Sequence, residues 1–85
     1  MRIIYSPKFK REYKKLPLKI KLLAEKREAI FRANPFDSRL KTHKLAGRLQ
    51  EFWSFSIDYK YRIIFEFAGK DEVHFHSAGD HDIYQ

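Results

Sequence analysis

Past residue 48 the sequence changes from helical spacing to alternation, and this change constrains the fold more than any other feature. Leu49, Glu51, Trp53, Phe55 and Ile57 alternate with Gln50, Phe52, Ser54, Ser56 and Asp58. Tyr61, Ile63, Phe65 and Phe67 alternate with Arg62, Ile64 and Glu66. After the turn Ala68-Gly69-Lys70-Asp71, Val73, Phe75 and Ser77 alternate with His74, His76 and Ala78. A period of two marks strands with one buried face. Three such runs with short connections predict an antiparallel meander. Trp53, Phe55, Ile63, Phe65, Val73 and Phe75 are expected to face a covering layer. Ser54, Ser56, Arg62, Glu66, His74 and His76 are expected to face outward.

The first half supplies the cover. Arg2-Ile3-Ile4-Tyr5-Ser6 is short and rich in β-preferring residues, which predicts a strand. Ser6-Pro7 reads as an N-cap followed by proline at the first helical position, where a missing N–H costs nothing. Phe9, Tyr13 and Leu16 then follow at helical spacing on a short helix otherwise covered by lysine and arginine. Pro17 ends that helix and starts a second, with Ile20, Leu23, Ala24, Arg27 and Phe31 on one side. Asn34-Pro35 closes it, because the residue before proline avoids the α region. The expected order is β-α-α-β-β-β, a two-layer α+β fold with an N-terminal strand and a helical hairpin packed on an antiparallel sheet. Eighty-five residues allow one core, so residues 1–85 read as a single domain. Residues 34–48 show no sustained period and read as a long basic loop, the kind of segment that carries function on a rigid scaffold.

Charge is divided as sharply as periodicity. Residues 1–48 hold 15 of the 18 lysines and arginines against four acids, a net +11; residues 49–85 hold three against seven, a net −4. A basic half of this strength attracts polyanions and predicts salt-sensitive binding to phosphates or to an acidic protein. The absence of cysteine excludes disulfides, thiolate zinc sites and cysteine nucleophiles. No apolar run approaches the roughly 20 residues of a membrane span. The opening Met1-Arg2-Ile3-Ile4-Tyr5 lacks a secretory pattern, so a cytoplasmic location is expected.

A few residues stand out as chemical candidates. Arg62 lies within an aromatic and β-branched strand, on its outward side. It can pair with Glu66 or Asp58 as a surface ion pair, or clamp a phosphate through its guanidinium fork. His81, in Gly79-Asp80-His81-Asp82-Ile83-Tyr84-Gln85, follows the last strand and can act as acid or base; a tail residue without a task is the plainer alternative. His74 and His76 form an H-x-H pair that could chelate a metal with His81, although two polar residues on an exposed strand explain the pattern equally well. His43 lies among Lys41, Lys44 and Arg48, where it can touch a ribose or phosphate. Tyr84 can stack on a base or close the sheet edge. Trp53 and Phe55 read as core.

Taken with the element order, three segments make the chain similar to a known family. They are Leu45-Ala46-Gly47-Arg48-Leu49-Gln50-Glu51-Phe52-Trp53-Ser54, Tyr61-Arg62-Ile63-Ile64-Phe65 and Gly79-Asp80-His81-Asp82-Ile83-Tyr84. The chain resembles toxins of the RelE/ParE superfamily over nearly its whole length, in the mRNA-interferase branch near RelE, YoeB and YafQ. The resemblance implies metal-independent mRNA cleavage in the ribosomal A site, with no cofactor, and neutralisation by a cognate antitoxin. It further implies a monomeric free toxin and a hetero-oligomeric complex. The ribose 2′-hydroxyl attacks the adjacent phosphorus, leaving a 2′,3′-cyclic phosphate and a 5′-hydroxyl. Arg62 matches the family's strand arginine, His81 its C-terminal acid/base position, and Tyr84 the aromatic behind it.

The chain departs from the family where the base is concerned. RelE-like members carry lysines on the second strand, where this chain has Ser54, Ser56 and Asp58; YoeB-like members use a glutamate before that strand. Glu51 or His43 stand as substitutes, with Glu51 ranked lower, and the YafQ-like His-Asp-Trp trio is absent. Lys10, Lys14, Lys15, Lys41, Lys44 and Arg48 are expected to contact RNA, with the antitoxin covering the same region. The alternatives are a ParE-like gyrase inhibitor that binds without cutting, a sub-branch that usually lacks the C-terminal histidine, and a binding module with decayed catalysis.

Overall fold

The computed structural model describes residues 1–47 and 51–80. Its elements are β1 (Arg2–Tyr5), α1 (Pro7–Lys14), α2 (Leu18–Ala33), a 3-10 turn (Ser38–Leu40), β2 (His43–Lys44), β3 (Trp53–Ser56), β4 (Tyr61–Gly69) and β5 (Glu72–Asp80). The five strands form one sheet in the order β1-β5-β4-β3-β2. β1 runs parallel to β5, and the remaining pairs are antiparallel. The two helices cover one face, giving the expected two-layer α+β arrangement.

Local chemistry sets the helix boundaries. The Ser6 hydroxyl accepts the Phe9 amide at 2.9 Å and opens α1. Pro17 caps α2, and extended Asn34 ends it before Pro35. The same Ser6 hydroxyl donates to the His76 carbonyl at 2.8 Å, while a Glu12 carboxylate oxygen accepts the Ala78 amide at 3.1 Å. β1 stops at Tyr5, opposite Phe75. Beyond that point Ser6 and Glu12 occupy the edge of β5 that would otherwise be left unpaired.

The core is aromatic. Phe31 is fully buried and packs at 4.9 Å between ring centroids on both Phe55 and Phe65, with Phe75 at 5.6 Å. Ile3, Phe9, Leu16, Ile20, Ala24 and Ile63 complete it from both layers. Arg27, on the inward side of α2, reaches past this cluster and donates through Nε to the Ile57 carbonyl at 3.2 Å.

The structure corrects the alternation in three places. Along β5 the register slips between the pairs Ile64↔Ser77 and Phe65↔Phe75, leaving His76 as an extra residue. A bulge of this kind inverts the facing of everything beyond it. Ala78, rather than Ser77, therefore joins the core beneath the helices. The outward face is also not open: Ser54, Ile64 and Ser77 are each at most 1% exposed, and Ser56 is buried. Trp53 faces the helix layer but only rims the core, half-buried against Phe36 and Phe67, which are 56% and 40% exposed.

Residues 34–47 are more ordered than their lack of period suggests. Leu40 of the 3-10 turn is fully buried and plugs the core, and β2 adds an edge strand to β3. Lys41 and Gly47 bracket β2 with left-handed φ angles of 52° and 66°. Glycine adopts that region freely.

Candidate functional site

Strand register assembles the sheet face turned away from the helices. His43, Ser54, Ile64 and Ser77 lie in one row across β2, β3, β4 and β5, and Ser56, Arg62 and Gly79 form the next row. Strand spacings put the His43 and Arg62 Cα atoms about 12 Å apart, two strands and two residues away. The two side chains therefore flank one strip of sheet whose small residues Ser54, Ser56 and Ser77 are themselves buried.

Arg62 is held by the turn between β3 and β4. Its Nη1 donates to the carbonyls of Asp58 and Tyr61, the latter at 3.1 Å, and Nη2 donates to the Tyr59 carbonyl at 2.9 Å. The Asp58 carboxylate instead accepts the amides of Lys60 and Tyr61, at 2.8 and 2.7 Å. Glu66 lies beside His74, 3.7 Å from its Nδ1. Neither carboxylate expected to pair with Arg62 takes that role. Carbonyl dipoles orient a guanidinium without cancelling its charge, so it can still attract a phosphate.

His43 stands exposed at the sheet edge, with Nδ1 3.1 Å from the Lys41 carbonyl oxygen. A carbonyl can only accept, so in the neutral ring Nδ1 carries the proton and Nε2 is left as an acceptor. That tautomer suits a general base. Glu51 is exposed in the turn leading into β3, next to Phe52.

Phe52, which the sequence reading did not single out, pairs with His76 beside this strip. The Phe52 ring lies 4.8 Å from the His76 ring at 33°. The bulge leaves His76 outside the strand register, and Phe52 shares the alternation phase of Ser54 and Ser56. An aromatic in the outward phase of a serine-rich strand is the sequence signal that could have marked it. The rings of His74 and His76 diverge in their partners: His74 meets Glu72 at 2.9 Å, whereas His76 meets Phe52. Among the described residues no three histidines or acids are placed to hold a metal ion.

The basic candidates fall in two places. Lys10 and Lys14 line a groove of about 480 Å³ between α1 and α2, with Tyr5, Phe9, Tyr13 and Glu28, and Lys15 caps the C-terminus of α1. Burial raises the Tyr5 and Tyr13 hydroxyl pKa values there, and the Tyr5 hydroxyl donates to Glu28 at 3.0 Å. Lys41 and Lys44 lie at the far edge of the sheet, beside His43. Near them, hydrogen bonds from the Arg39 side chain and amide hold the Asp37 carboxyl at a pKa of about 2. Arg48, His81 and Tyr84 lie outside the described residues. The sheet face is the better candidate for chemistry, since it combines a cation, imidazoles and an aromatic, whereas the groove presents mainly apolar walls.

Comparison with solved structures gives this arrangement a context. A YoeB/ParE toxin from Agrobacterium tumefaciens superposes with a TM-score of 0.80 at 15% identity, over 95% of this chain and 99% of the other. YafQ from E. coli superposes with a TM-score of 0.80 at 18% identity, over 99% and 98%. The chain has the fold of the YoeB and YafQ toxins. YoeB in the YoeB–YefM complex from Staphylococcus aureus shares this toxin fold at a TM-score of 0.76 and 19% identity, over 95% and 97% of the two chains. No family model and no curated protein matches the sequence. Within the toxin fold, Arg62 sits on β4 and His43 on the edge strand β2. No helix among the described residues is long and apolar enough to cross a membrane.

Proposed function

We propose that this chain is the toxin of a toxin–antitoxin pair and a metal-independent endoribonuclease that cuts mRNA on the ribosome in the cytoplasm, blocking translation. The observation that carries the reading is the sheet face of a toxin fold, where Arg62 keeps its charge and His43 presents Nε2 on the same strip. The strongly basic N-terminal half supports an RNA and ribosomal partner, and the same-fold YoeB solved with YefM supports a protein antitoxin and a hetero-oligomeric complex.

In this reading His43 Nε2 takes the proton of a ribose 2′-hydroxyl, and the oxygen attacks the neighbouring phosphorus. Arg62 stabilises the charge gathering on the phosphoryl oxygens. The P–O5′ bond breaks, and His81 supplies the proton that makes the 5′-hydroxyl, leaving a 2′,3′-cyclic phosphate. Phe52, His76 and Tyr84 hold the bases on either side by stacking. Glu51 takes the base role if His43 proves dispensable.

Primer extension on translated mRNA tests the reading. Cuts within A-site codons are expected, and His43→Ala should lower the cleavage rate by about 10²–10⁴-fold without altering the melting temperature, since the ring is exposed. Intact mRNA together with inhibited DNA supercoiling would replace the nuclease by a gyrase-binding inhibitor. Binding to RNA with neither effect would leave a basic binding module.

A further inference from the structure

Three aromatic rings gather where β3 begins, on the helix side of the sheet and outside the core. Phe36 lies 5.5 Å from Trp53 and 5.9 Å from Phe67 between ring centroids, and Trp53 lies 5.5 Å from Phe67. Phe36 is 56% exposed and Phe67 40%, with Trp53 half-buried beside them. The segment that carries Phe36 is tied down at both ends. The Asn34 side-chain oxygen accepts the Phe36 amide at 3.0 Å, and the Thr42 hydroxyl donates to the Pro35 carbonyl. The rings form a preformed platform.

Register adds a cation. Lys44 lies directly opposite Trp53 across the β2–β3 ladder, so the two share one side of the sheet, and Lys44 is exposed. His43, the preceding residue, lies opposite Ser54 and belongs to the other side. β2 is a two-residue strand at the edge of the sheet, and its consecutive residues therefore serve both sides. Residues 34–47 hold Arg39, Lys41 and Lys44 against one acid, Asp37, whose carboxylate is taken up by Arg39 at 2.9 and 3.0 Å. That leaves Lys41 and Lys44 against Glu51, exposed two residues before Trp53. Beyond Phe67, Asp71 meets the N-terminal amine and Glu72 meets His74.

Size and shape point to the occupant. An aromatic side chain offers ~150–250 Å² of surface, so these three leave at most about 330 Å² exposed. A stable protein interface takes ~800 Å² from each partner, whereas flat rings beside a lysine suit one or two bases and a phosphate. We infer that Phe36, Trp53 and Phe67 stack bases of single-stranded RNA, with Lys44 on the phosphate, where the strand rounds the β2 edge from the strip beside His43. The inference rests on the RNA partner proposed above and not on cleavage.

The test uses the full chain and a 2′-O-methyl octauridylate, which lacks the attacking hydroxyl and cannot be cut. Trp53 is the sole tryptophan, so its fluorescence reports this platform alone, while anisotropy of a labelled probe reports binding anywhere. Quenching of Trp53 that tracks binding and weakens with salt is expected. Phe36→Ala should weaken binding about tenfold. Phe36→Leu, which keeps an apolar contact with Trp53 but removes the flat ring, should lose most of the same affinity. Lys44→Ala should lower the slope of log affinity against log salt by about 0.7. Binding with silent Trp53 emission, or full affinity in Phe36→Leu, would overturn the inference. So would quenching by an apolar peptide and none by the oligonucleotide, which would assign the rings to a protein. Quenching with translated mRNA left intact would keep this surface and end the nuclease reading. Cleavage with silent Trp53 would end only the surface.

Discussion

Arg62 has a structural task beside the chemical one proposed for it. Its guanidinium gathers the carbonyls of Asp58 and Tyr59 in the turn and of Tyr61 at the start of β4, and its rigid planar fork fits them in a way that a point-like ammonium does not reproduce. Arg62→Ala should abolish cleavage and also lower stability by about 1–3 kcal/mol, because charge-assisted hydrogen bonds to these carbonyls are lost. Arg62→Lys should recover little of either, as read by urea melts beside primer extension. Asp37 gives a second test at this scale. Its carboxyl pKa is lowered from 3.8 to about 2, first by the hydrogen bond from the Arg39 side chain. A depressed folded pKa means the contribution is present above 3.8 and is lost as pH falls toward 2. Amide exchange at Leu40, the end of the 3-10 turn, should accelerate across that window, and Asp37→Asn should flatten the dependence.

At the scale of elements, one serine joins three of them. Ser6 follows β1, caps α1 and holds the carbonyl of His76 where β5 bulges. Ser6→Ala should cost about 1–2 kcal/mol, within the range of a lost N-cap. It should also loosen the Phe52–His76 pair, because the bulge loses the bond that holds its backbone. Calorimetry and the His76 ring resonances would show both effects. An Ala variant that melts like the parent, with unchanged His76 signals, would mean that Glu12 alone secures the β5 edge.

For the whole molecule, the sheet divides two sides of different character: an apolar and basic helix layer, and a strip where Arg62, His43 and His76 border a row of buried hydroxyls. The core that holds them together centres on Phe31. Phe31→Ala should cost about 3–5 kcal/mol, because a fully buried ring leaves a cavity. Trp53→Ala should cost less, about 1–3 kcal/mol, since Trp53 only rims the core beside the exposed Phe36. Equal losses in chemical denaturation would mean that the rim is as tightly packed as the centre.

The alternation from Trp53 to Phe75, the Ser6-Pro7 start and the Asn34-Pro35 stop are local patterns, and each is legible in the sequence because it follows from spacing and backbone preference. So are Arg62 and His43 as candidates, a charge in an apolar strand and a histidine in a basic loop. The parallel pairing of β1 with β5 is not local, since Ile3 and Val73 pair across nearly the whole length of the chain. Leu40 carries no period because a three-residue turn cannot show one, yet the core needs its side chain. The bulge at His76 adds a single residue that no alternating pattern reveals, and it reverses Ser77 and Ala78. Chain-local energetics determined the elements and their caps. Pairing between distant strands decided which residues share the strip beside Arg62, because register is settled by the packing of both layers at once.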